Sequence, residues 1–82
     1  MDKKLVQYVQ EINHDMKEAG VKEIDRCAFL VKIASIVLCS ARCGKEQIYE
    51  ATDYIDKCVL ESDEVPEEHK AMIMLASVIR SL

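Results

Sequence analysis

The stretch CAFLVKIASIVLCSA, from Cys27 to Ala41, is apolar or small on every side of a helical wheel and carries one charge, Lys32. A helix that is apolar all round must be wrapped by other elements, so this stretch predicts the central post of a helical fold. Its 15 residues are too few to cross a bilayer, which needs roughly 20 predominantly apolar residues.

Three further helices can be drawn around the post. In the first, from about Lys3 to Ala19, Leu5, Val9, Ile12 and Met16 fall within about 60° of one another on the wheel, a narrow stripe for one partner. Gly20 follows where a left-handed C-cap is wanted. The post itself is expected over about Lys22 to Cys43, stopped by Gly44. The third helix, from about Lys45 to Glu61, repeats Ile48, Ala51, Thr52, Ile55, Cys58 and Val59 on one side. An acidic break, Ser62 to Glu68, places Pro66 as the first residue of a final helix, with Glu67 and Glu68 complementing the positive end of its dipole. That helix is expected to bury Met72, Leu75, Ala76, Ile79 and Leu82.

These stripes predict an all-α fold, a single domain over residues 1–82: a small four-helix bundle around a central apolar helix at about residues 22–43, completed by oligomerisation. Oligomerisation is expected on two grounds. A chain of 82 residues buries only roughly 60 to 65% of its unfolded surface, so its core is marginal. Three amphipathic neighbours are also too few to cover a post that is apolar on all sides, and uncovered apolar patches mark association sites.

Charge and motif content then remove function classes. The net charge is −4 and the 11 basic residues are scattered, which argues against a nucleic-acid phosphate track. The start, MDKKLVQYVQ, has no apolar segment and no cleavage site after its lysines, so a cytoplasmic, reducing setting is expected, with the four cysteines as thiols. No glycine-rich phosphate loop, nucleophile elbow or metalloprotease signature occurs, and no enzyme activity or cofactor is expected.

The chemistry-bearing residues are few. Cys39 and Cys43, four apart on one helix, lie about 6 Å from each other, a spacing that lets two thiolates share a metal ion. Cys58 and His69 would have to complete the set, because Cys27 lies about 18 Å up the same helix. Core thiols are the expected reading, since free cysteine behaves as a small hydrophobe. His14 faces away from the first helix's stripe and is expected in solvent. Tyr8, Tyr49 and Tyr54 flank their stripes, and Met72 and Met74 sit in the last helix. All five are candidates for an interaction surface.

Two patterns resemble known families in part. The spacing Cys39-x3-Cys43-x14-Cys58 resembles the twin CX3C hairpin of small mitochondrial intermembrane-space chaperones, but the fourth cysteine position holds Ser62, so paired disulfides cannot close. Ala34-x-Ile36-x-Leu38-x-Ser40 and Ala71-x-Ile73-x-Leu75-x-Ser77 recur near the period of tetratricopeptide repeats, without the large aromatic and glycine of the first repeat helix.

The function expected is therefore a small acidic module that binds another protein, as an adaptor, inhibitor, co-chaperone or regulator, and that forms a homodimer or higher oligomer. The alternative is a metal- or redox-responsive thiol protein using Cys39 and Cys43.

Overall fold

The computed structural model describes residues 3–39 and 44–82, which hold four α-helices and no strand: α1 (Leu5–Glu18), α2 (Glu23–Leu38), α3 (Lys45–Leu60) and α4 (Glu67–Ser81). The all-α bundle follows the apolar patterning of the sequence. Its centre does not. Among the described residues α3 touches each of the other three helices, α1 also touches α2, and α4 touches α3 alone. The central helix is thus α3 rather than the apolar α2.

The reason lies in size and shape at the crossings. Ala51, Thr52, Ile55 and Val59 of α3 are all buried, and Ala51 and Thr52 are small enough to let neighbouring backbones come close. The Thr52 hydroxyl donates to the Ile48 and Tyr49 carbonyls of its own helix at 3.0 and 3.2 Å, so it enters the core satisfied. Around this helix pack Val9 of α1, Cys27 and Leu30 of α2, and Val65 of the loop before α4. From α2, by contrast, Phe29, Val31, Ile36 and Leu38 remain exposed. All-round apolarity says that a helix wants burial; it does not say which helix finds it.

Local chemistry sets the helix ends. Gly20 has φ +81°, its N–H donates to the Lys17 carbonyl at 3.1 Å, and the Val21 N–H donates to the Met16 carbonyl at 3.0 Å. That pair of bonds is the Schellman closure, which needs a left-handed residue at this place. At the start of α1 the Lys4 N–H donates to Oε1 of Gln7 at 2.7 Å. The α2 helix ends at Leu38 with Cys39 as its C-cap, and the expected end at Cys43 lies outside the described residues. Gly44 is not a stop for α2 but the extended N-cap of α3, at φ −64°. Pro66 likewise stands one place earlier than expected, as the N-cap of α4, its carbonyl accepting from the His69 and Lys70 N–H groups.

The loop between α3 and α4 is tied down at three points. Ser62 and Val65 are buried, and the Glu64 carboxylate accepts the Ile24 N–H at 3.0 Å, closing the open amides at the start of α2. This loop leads into α4, which among the described residues touches α3 and not α1. The resulting body is flat, 32 × 31 × 16 Å across its Cα atoms.

The two glycines respond oppositely to a methyl group. Nothing lies within 4 Å of a Cβ built at either one, so backbone conformation alone decides. Gly20→Ala forces an L-residue into the left-handed region and is expected to lower stability by about 1–2 kcal/mol. Gly44→Ala keeps a permitted φ and is expected to stay within about 0.5 kcal/mol of the wild type. Urea unfolding of the two variants followed by circular dichroism checks the contrast.

Candidate functional site

The apolar face of α4 points the wrong way for a bundle. Lys70, Ile73, Ser77 and Arg80 are the half-buried residues on the α3 side of this helix. Met72, Leu75, Ile79 and Leu82, the stripe expected in the core, are exposed instead, at 69, 62, 59 and 101%. This phase brings the Arg80 guanidinium onto the Asp56 carboxylate of α3, both side chains being largely withdrawn from water. Burial pushes the Asp56 carboxyl above its ordinary value, and Arg80 opposes that shift. Rolling α4 to bury its apolar stripe would leave that carboxylate without its partner, which is strongly unfavourable for a desolvated charge.

Because α2 and α4 do not touch, a groove of about 610 Å³ runs between them. Ile24, Ala28 and Val31 form the α2 wall, His69, Met72 and Ile73 the α4 wall, and Cys27, Lys32 and Val65 complete the lining. The α2 residues follow one another by four and three positions and so share one flank of the helix. In the sequence this flank is hidden, since apolar neighbours on every side leave no phase to read. Val31 belongs to it at 40% exposure; it is a groove residue and not the buried one that its place in the apolar run implies.

The expected site residues are distributed as follows. Met72 and Met74 are exposed on α4. Tyr8 is half-exposed with the Lys3 ammonium 5.8 Å from its ring centre, and Tyr49 is matched in the same way with Lys45 at 5.6 Å. Tyr54 is packed against the core, and its hydroxyl accepts from Asn13 Nδ2 at 3.0 Å. That bond joins α1 to α3. His14 is in solvent as expected, 3.9 Å from the Glu18 carboxylate.

The cysteines part company. Cys39, expected as a core thiol, is exposed at the end of α2, while Cys43 lies outside the described residues. Cys27 is the buried one, and Cys58 is intermediate. Both line a second cavity of about 280 Å³ with Asn13, Glu23, Arg26 and Glu61. Burial raises the Cys27 thiol above its ordinary value, the Ser62 hydroxyl pulling the other way, so at neutral pH it stays protonated and a poor nucleophile. Among the described residues no three His, Cys, Asp or Glu side chains are grouped to hold a metal ion, and Cys39, Cys58 and His69 are not brought together. Nor is any described helix long and apolar enough to cross a membrane.

Comparison of the chain with protein-family models, with curated proteins and with solved structures finds no match.

Two measurements check this geometry. A thiol-alkylating reagent applied to native protein is expected to modify Cys39 at least about tenfold faster than Cys27, read peptide by peptide in a mass spectrometer. Arg80→Met is expected to lower stability by about 1–3 kcal/mol at pH 7, because the Asp56 carboxyl loses its charged partner. The deficit should shrink as pH falls through the raised range of Asp56, since a protonated carboxyl no longer needs the guanidinium. A deficit constant with pH would contradict the pairing.

Proposed function

We propose that this chain is a small acidic protein–protein interaction module without catalytic activity of its own, serving as an adaptor, inhibitor, co-chaperone or regulator. The observation that carries the reading is the open apolar groove between α2 and α4, walled by Ile24, Ala28 and Val31 on one side and Met72 and Ile73 on the other. Apolar concave surface of this kind is out of place on a solitary monomer and is what an amphipathic partner helix needs. Flexible methionine at the wall suits a surface that takes side chains of varied shape.

The charge at the rim narrows the partner. Lys32 is the fixed cation among the lining residues, with His69 across from it, and no carboxylate lines the groove. A helix with an apolar face and a flanking Asp or Glu therefore meets both features at once, the acid steering register and the apolar face supplying most of the affinity. A cytoplasmic setting belongs to the same proposal, since it keeps Cys27, Cys39 and Cys58 as thiols. The alternative, a metal- or redox-responsive thiol centre on Cys39 and Cys43, turns on a residue outside the described ones.

A synthetic leucine-rich amphipathic peptide with glutamates along one flank provides the test. On titration into isotopically labelled protein it is expected to shift the amide signals of Ala28, Val31 and Met72 and to leave those of α1 in place. Val31→Asp is expected to abolish those shifts, because the apolar groove then holds an unpaired carboxylate. It should also melt within about 1 kcal/mol of the wild type, as Val31 contributes little to the folded core. Absence of binding by the wild type, or shifts confined to another face, would overturn the reading.

A further inference from the structure

Apart from Met72, a second apolar face of α4 lies outside the groove. We propose that the outward stripe Met72, Leu75, Ile79 and Leu82 pairs with the same stripe of a second copy of this chain across a two-fold axis. The proposal rests on the reading of the chain as an interaction module, but on separate residues, Met72 alone standing at the edge of both surfaces.

Three observations select a second copy over an unrelated partner. The first is spacing. Steps of three, four and three between large apolar residues form a seam that packs knobs into holes against another helix at a shallow crossing angle, and a seam of this kind fits itself. Leu75 and Val78 face outward beside Ile79, so the exposed surface is continuous along α4 from Met72 to Leu82.

Charge is the second. From Ala71 to Leu82 the one charged side chain is Arg80, and it is turned inward to Asp56. A two-fold contact sets each residue against its counterpart or a close neighbour, so on a chain of net charge −4 most faces would oppose like charges. This face opposes none, and it carries no charge by which an acidic or basic partner would recognise it.

Area is the third. The accessible surface is 6058 Å², against about 5,000 Å² for a compact monomer of this mass. The surplus, about 1,000 Å², is shared between the groove and the α4 stripe, and it leaves room for the roughly 800 Å² that one partner contributes to a standard interface.

Sedimentation equilibrium of the full chain, from about micromolar to about millimolar concentration, tests this on wild type, Leu75→Glu and Val31→Asp. The wild type is expected to form dimers. Leu75→Glu should weaken them at least about 100-fold while keeping the wild-type circular dichroism, because the substitution enters the interface twice. The groove variant Val31→Asp should dimerise like the wild type. Should Leu75→Glu fail to fold, Ile79→Lys, equally exposed on the stripe, takes its place. A wild type that is monomeric throughout, a Leu75→Glu protein that still dimerises normally, or an assembly dissolved by Val31→Asp alone would each overturn the proposal. A monomeric wild type that still binds the amphipathic peptide in its groove would overturn only the two-fold pairing. Loss of both behaviours would overturn the interaction reading as well.

Discussion

The Arg80–Asp56 pair is the contact on which the surface of this protein depends. A 15-residue helix with Met72, Leu75, Ile79 and Leu82 on one side would, left to the hydrophobic effect, turn that side inward. It does not, because the opposite side carries a guanidinium whose partner is a half-buried carboxylate on α3. Orphaning that carboxylate opposes such a roll, and the same phase is held by Ile73, which packs against the core, and by the loop into α4, anchored at the buried Ser62 and Val65.

From that phase the remaining architecture follows. With α4 held against α3 alone, α2 keeps one flank uncovered, and the space between the two helices is the groove. The bundle is flat rather than round, 16 Å in its shortest dimension, and a flat body has more surface for its volume than a compact one. The ion pair thus acts with the Ile73 and loop contacts in keeping the stripe exposed, and that phase contributes to the groove and to the excess accessible area. Stability has to come from a small core centred on Ala51, Ile55 and Val59, with Val9 and Leu30 packed against them.

Much of the architecture is legible in the sequence, and the part that is not has a physical explanation. Helix content, the left-handed Gly20 and the core face of α3 follow from periodicity and turn chemistry, which are local. The identity of the central helix is not local. It depends on long-range packing, in which α3 buries Ala51, Thr52, Ile55 and Val59 while several large apolar side chains of α2 stay exposed. The α4 stripe is legible as a stripe but not as an exposed one, because nothing between Ala71 and Leu82 reveals that Arg80 finds its partner 24 residues earlier, in Asp56. The groove is the least legible feature, being a gap between two elements. Cys39 shows the same limit, since its apolar neighbours give no sign that the helix ends at Leu38 and leaves it in solvent.

An apolar surface maintained by an electrostatic lock differs from one that is merely left over. Residual apolar patches are relieved by small rotations or by loops folding over them, because nothing opposes the relief. Here the lock opposes it. Covering the stripe from within would require breaking Arg80–Asp56, while covering it from outside by another helix leaves the pair intact. The same holds for the groove, whose α4 wall is set by the same phase. Burial from within is therefore opposed, and the polar contact that seems wasted inside so small a core is one of the contacts that keep these apolar residues exposed.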